Sequence, residues 1–248
     1  MANRMNPNII VFTMGKVAST AVAQSLRAAK FPIYDLHALA PSRIMARLET
    51  EFANAERRTI PNHLINSIKV HNDLARYDRS RVISLIREPV MRNISAVFQN
   101  LPPRLAYDFD EIVARLQRYQ PTIPDFWFEN DFIPTTGIDV LSADVDATSD
   151  HFLFSNDRFE VLILKMEASD ARKSEIVSDF VGSNVNVIRQ NEANDKWYSE
   201  AYAKIGKSLD LMGSDYLAKC FSLRYFRQFF SDEERSAVAR KFSYKGPI

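Results

Sequence analysis

Cysteine, net charge and long apolar runs are all nearly absent from this 248-residue chain, and each absence removes a class of function. The single cysteine, Cys220, allows no internal disulfide and no cysteine-based metal site, which fits a reducing compartment. Four scattered histidines make no zinc pattern either, so no metal is expected. With 32 Lys and Arg against 31 Asp and Glu, the net charge of +1 gives no global field toward nucleic acid or an anionic membrane. No apolar run approaches the roughly 20 residues of a membrane span, and no secretory hydrophobic segment precedes the first strand-like run, so the chain reads as cytoplasmic. What is present is ordinary globular stock: 46% hydrophobic residues, enough to core one large domain or two small ones.

The first hundred residues alternate two periodicities. "NIIVF", "FPIYDL", "LINSIKV" and "RVISLI" read as strands, with "STAVAQSLRAAK", "PSRIMARLETEFANAE" and "PVMRNISAVFQN" as helices among or after them. That alternation predicts an α/β fold on a central parallel sheet. "RFEVLILKM" adds a strand, and "SDARKSEIVSDFVG" a helix closed by Gly182. Between about 101 and 150 the chain turns dense in Pro and aromatics, which suggests an insertion or lid within a single domain spanning 1–248. Beyond Asn194 the pattern is helical, ending in a helix whose Ser231 and Glu234 fit a capping box.

Residues 13–20, "TMGKVAST", join the first strand to the first helix. Such a turn offers free N–H groups and the positive end of a helix dipole, so its natural ligand is an anion. Lys16 adds a mobile charge and Ser19 and Thr20 add hydroxyl donors. The G-x-x-x-x-G-K-[ST] loop of ATP and GTP hydrolases is not matched: Ile10 stands where the first glycine belongs and Val17 where the magnesium-binding hydroxyl belongs. Ligands of open parallel sheets bind beyond the carboxyl ends of the strands. On the strand assignment above, those ends carry Lys16–Thr20, Lys69 with His71, Arg87 with Ser95 two helical turns on, and Lys165 with Glu167.

"GKVAST" followed by "SLIREPVMRNISAVF" resembles the paired signatures of sulfotransferases that use 3′-phosphoadenosine 5′-phosphosulfate (PAPS). One is a Lys-small-Ser/Thr loop for the 5′-phosphosulfate. The other is R-x-P-x-x-R-x-x-S for the 3′-phosphate, here Arg87, Pro89, Arg92 and Ser95. "IKVH" resembles the Lys-Thr-His strand end that supplies the base in many members, with Val70 in place of threonine. "NDKWYS" is similar to the Asn-Lys-Trp-Tyr-Ser signature of a bacterial branch tied to capsular polysaccharide synthesis, with Asp195 inserted.

The resemblance implies a three-layer α/β/α fold of the P-loop NTPase-like kind, with PAPS as cosubstrate and a polysaccharide or glycolipid hydroxyl as acceptor. Gly15, Lys16, Val17, Ala18, Ser19, Thr20 and Ala21 would hold the phosphosulfate, and Arg87 and Ser95 the 3′-phosphate, with Lys196 and Trp197 beside the nucleotide. Lys16 would assist the leaving group, while His71 or a carboxylate such as Glu167 deprotonates the acceptor. Lys69, Trp127 and Phe128 are expected on the acceptor side, the two aromatics stacking on sugar faces. A sulfuryl group carries less negative charge than a phosphoryl group, so a metal clamp is not needed. Two alternatives stay open: a nucleotide-dependent kinase or phosphotransferase on the same fold, and a non-catalytic binding protein of capsule assembly.

Overall fold

A computed structural model describes residues 9–53, 59–105, 108–188, 197–207 and 212–248. They fall into two compact units. The first takes the described residues of Met1–Ile86, Phe126–Ala143 and Asp150–Ile188; the second takes those of Arg87–Asp125, Asp144–Ser149 and Arg189–Ile248.

The first unit is built on a five-stranded sheet in the order β2-β1-β3-β5-β4. β1 (Ile9–Phe12) lies at the inside, with β2 (Ile33–Leu36) parallel on one side and β3 (Ser80–Ile86) parallel on the other. β5 (Phe159–Lys165) continues the parallel set, pairing Ser80 with Phe159 through Ile86 with Lys165. All four residues of β1 are buried, as are nearly all of β3 and β5, which is why these strands read as continuous apolar runs. β4 (His151–Ser155) is antiparallel at the edge and was not legible as a strand: its pattern, with Phe152 in and Leu153 out, covers only five residues at the exit of the aromatic segment.

Around the sheet lie α1 (Ser19–Ala28), α2 (Pro41–Ala53), α3 (Asn62–Asp73) and α8 (Asp170–Val181). Gly182, at φ 71°, closes α8 as expected. The expected strand at "LINSIKV" is corrected: these residues form α3. Their β-branched content mimics a strand, but Leu64 and Ile68 recur at the helical spacing. They pack with Ala38, Ile44 and Leu48, so α2 and α3 close on each other through i, i+4 faces.

The segment from Ile123 runs as α6 (Ile123–Trp127), a π-helical turn (Phe128–Phe132) and α7 (Ile133–Thr136). Within the first unit its rings pack on the sheet: Trp127 meets Phe12 edge-on at 4.9 Å and Phe132 stacks on Phe12 at 5.9 Å. Trp127 is 2% exposed and Phe128 fully buried, so in this structure both rings serve the packing on the sheet rather than presenting an open face.

The second unit is helical: α4 (Pro89–Gln99), α5 (Phe109–Arg118), α9 (Ser199–Lys207), α10 (Ser214–Phe221), α11 (Arg224–Phe229) and α12 (Asp232–Lys241). Its core is aromatic, with Phe98, Phe221, Tyr225, Phe226 and Phe229 fully buried. Ser231 and Glu234 form the expected capping box on α12. Among the described residues no helix is long and apolar enough to cross a membrane.

Candidate functional site

The strand order locates the site. The chain leaves β1 for β2 on one side and returns to β3 on the other, so the carboxyl end of β1 is a topological switch point, where open α/β sheets bind ligands. The turn at that end is unusual in its backbone. Gly15, Lys16 and Ala18 all have positive φ, at 82°, 64° and 60°. Left-handed backbone costs a residue with a side chain about 1–2 kcal/mol, so Lys16 and Ala18 hold strain of the kind that clusters at ligand sites. Runs of this kind turn backbone N–H groups into anion-binding concavities.

Ala18 is the N-cap of α1 and contributes no side-chain cap, and no acidic residue occupies the first turn. The positive end of the helix dipole is therefore not neutralised by the helix's own residues. Val17 is fully buried and anchors the turn, while Lys16 is half-exposed and Thr20 exposed.

Beside this turn, the end of β2 supplies a residue that sequence reasoning missed. His37 directly follows β2, whose Leu36 is in register with Phe12. Its Nδ1 lies 3.0 Å from the Thr13 carbonyl oxygen, which can only accept, so Nδ1 carries the hydrogen. Thr13 Oγ1 sits 3.2 Å from the same nitrogen. The lone pair is thereby assigned to Nε2. Burial lowers the pKa of His37, with Arg47 and His63 adding to the effect and the Thr13 bond and Asp35 opposing it, so the ring stays neutral at pH 7. The signal in the sequence was "DLHAL", a histidine one residue past a strand.

The backbone of that segment is held from far along the chain. Leu39 and Ala40 N–H donate to Asp131 Oδ1 at 2.9 and 2.7 Å, and Trp127 Nε1–H donates to the His37 carbonyl at 3.3 Å. Asp131 is fully buried, and desolvation pushes its carboxyl up to about 6 despite the two N–H bonds and the charges of Arg43 and Arg47.

The strand end expected to carry Lys69 and His71 is a helix. Lys69 and His71 are exposed side chains of α3, His71 in its last turn, so neither stands at a strand end as the sequence reading required. At β5, Lys165 is 1% exposed with its ammonium 5.8 Å from the Phe152 ring centre, and Glu167 is exposed two residues beyond the strand.

In the second unit the R-x-P-x-x-R-x-x-S residues begin a helix. Glu88 is the N-cap of α4, accepting from Val90 and Met91 N–H, and Pro89 takes the first helical position. Arg87 is half-buried. Its carbonyl accepts from Tyr225 O–H at 2.8 Å and its Nη2 reaches Tyr202 O–H at 3.4 Å, a long contact that leaves the guanidinium weakly held. Arg92, 3% exposed, instead donates to Tyr119 O–H and Asn93 Oδ1, so the second arginine of the signature belongs to a buried network. Ser95 is half-buried on α4. Trp197 is 49% exposed and lies edge-on to Tyr198, which packs on Phe98. Lys196, with Asn194 and Asp195 of the capsule-type signature, lies outside the described residues.

Residues 112–231, a little under half of the chain, match the model of a family described as "Putative capsular polysaccharide synthesis protein". The similarity takes in Trp127 and Asp131, while the turn after β1, His37, Arg87 and Ser95 lie outside it. No curated protein and no solved structure matches the chain.

Proposed function

We propose that the chain is a sulfotransferase, moving a sulfuryl group from PAPS to a hydroxyl of a capsule-type polysaccharide or glycolipid. The observation that carries this reading is the turn after β1: positive φ at Gly15, Lys16 and Ala18, leading into a helix with no side-chain cap from its N-cap residue and no acid in its first turn. A phosphosulfate fits that arrangement, with Gly15 to Ala21 as its cradle. The acceptor class rests on the family similarity of residues 112–231.

His37 takes the base role in place of His71. It is neutral at pH 7, held by Thr13 through Nδ1 and left with its lone pair on Nε2. In the transfer, Nε2 accepts the acceptor's hydroxyl proton as the oxygen bonds to sulfur. The bond between sulfur and the 5′-phosphate oxygen breaks, and its electron pair leaves on 3′,5′-adenosine bisphosphate. Lys16 balances the charge gathering on that oxygen. Arg87 and Ser95 carry the 3′-phosphate role through their motif spacing, and Arg87 suits it because a guanidinium pairs bidentately with phosphate.

Calorimetric titration with 3′,5′-adenosine bisphosphate, with and without magnesium, beside ATP, tests the reading. Metal-independent binding of the bisphosphate, lost in Arg87→Ala and Lys16→Ala, is the expected result. Preference for ATP with magnesium, or no binding of either nucleotide, overturns it.

A further inference from the structure

We propose that Asp131 is the positioning residue for His37, fixing through the backbone of Leu39 and Ala40 which imidazole nitrogen is left with the lone pair. The catalytic meaning of this assignment rests on the sulfotransferase reading, but the structural claim stands apart from it.

The geometry is a clamp with two jaws. From β1, Thr13 holds the ring through Nδ1. About ninety residues on, Trp127 at the end of α6 holds the His37 carbonyl, and Asp131 of the π-helical turn holds the N–H groups of Leu39 and Ala40. π-helical turns are rare and concentrate at functional sites.

The same two N–H groups lie at the start of α2, where Ala40 accepts the first helical bonds from Arg43 and Ile44. A serine or aspartate at position 40 would cap that end locally. The chain instead has Ala40 there and brings a fully buried carboxylate from another segment, whose Oδ2 makes no hydrogen bond. Burying a carboxylate so incompletely satisfied is costly, and what it secures beyond a cap is the segment carrying His37.

The charges can be separated from the geometry. Arg43 and Arg47 act on Asp131, and Asp35, Arg47 and His63 act on His37. Removing the Asp131 charge should therefore leave His37 nearly unmoved, whereas removing its hydrogen bonds should not.

The test is ¹⁵N and ¹³C NMR of the histidine rings across pH in the full chain, with His37 assigned by a His37→Gln variant. Wild type should show His37 as the Nδ1–H tautomer, titrating below the ordinary value of about 6.5. Asp131→Asn, which keeps the oxygen acceptor, should preserve both. Asp131→Ala, with an unchanged far-ultraviolet spectrum, should convert His37 mainly to the Nε2–H tautomer and move its midpoint up toward the ordinary value. If transfer is measured with PAPS, kcat should fall at least about tenfold in Asp131→Ala, while bisphosphate affinity stays within about twofold.

An unchanged tautomer and midpoint in folded Asp131→Ala overturns the proposal. Should that variant fail to fold, Trp127→Phe removes the bond to the His37 carbonyl and must raise the Nε2–H population; no rise overturns it. Failure of the bisphosphate to bind would sink the sulfotransferase reading alone, because the ring spectra need no nucleotide.

Discussion

Asp131 makes the most quantitative prediction, on stability. Its carboxyl is raised to about 6 in the fold from an ordinary 3.8. The folded state thus binds the proton more tightly than the unfolded chain. A lift of about two pH units at about 1.4 kcal/mol each gives roughly 3 kcal/mol. The sign follows from linkage. Below about pH 4 both states are protonated and the full contribution is present; it is lost as pH rises through about 6, where the buried carboxylate must ionise. Asp131→Asn has no such proton but keeps an oxygen facing Leu39 and Ala40 N–H.

Urea unfolding of both proteins from pH 4 to 7.5, compared as a difference, cancels every other titrating group. The wild type should lose up to about 3 kcal/mol relative to Asp131→Asn across that range, with most of the change between pH 4 and 6. At pH 7.5 the variant should be close to wild type, because relief of the charge offsets the roughly 1–3 kcal/mol cost of a buried amide N–H where Oδ2 now makes no hydrogen bond. A pH-independent difference would refute the claim that desolvation dominates at this carboxyl.

Four further outcomes follow from particular contacts. His37→Ala should lower transfer by at least about a hundredfold, whereas His71→Ala, an exposed change on α3, should leave it within about twofold in a PAPS-dependent assay. Gly15→Ala places a side chain at φ 82° with open space around it, so it should cost about 1–2 kcal/mol by urea unfolding and weaken bisphosphate binding in calorimetry. Tyr225→Phe leaves the Arg87 carbonyl without its O–H donor and should cost about 1 kcal/mol. Cys220 is fully buried and its thiol is pushed up to about 12 by burial, so a chromogenic disulfide reagent should react with it only on unfolding.

The parallel sheet was legible because its strands are buried on both faces, and continuous β-branched runs such as Ile9–Phe12 and Ser80–Ile86 have few other uses. The turn after β1 was legible for a related reason: a strand-to-helix change within eight residues leaves little choice of connection. α3 was misread because "LINSIKV" carries the β-branched residues of a strand and the i, i+4 spacing of a helix at once. What decided between them was a partner, the face formed by Ile44 and Leu48 on α2, which local periodicity does not reveal. The error moved the base with it, since His71 was placed by the strand it was thought to end.

The burial of Trp127 and Phe128 was not legible for the opposite reason. Aromatic density in a Pro-rich segment looks the same whether the rings face a sugar or a sheet, and only the packing on Phe12 shows which. The same packing explains why Asp131 carried no sequence signal. An acid between Asn130 and Phe132 reads as a solvated side chain, and its burial follows from the rings around it: Trp127, Phe128 and Phe132 seat the turn against the sheet, and the turn then delivers the carboxylate to Leu39 and Ala40. Hydrophobic packing here sets the position of a polar group, and the polar group sets a histidine. If that order of causes holds, replacing Phe132 by leucine should disturb the His37 tautomer while leaving every polar partner in the chain intact.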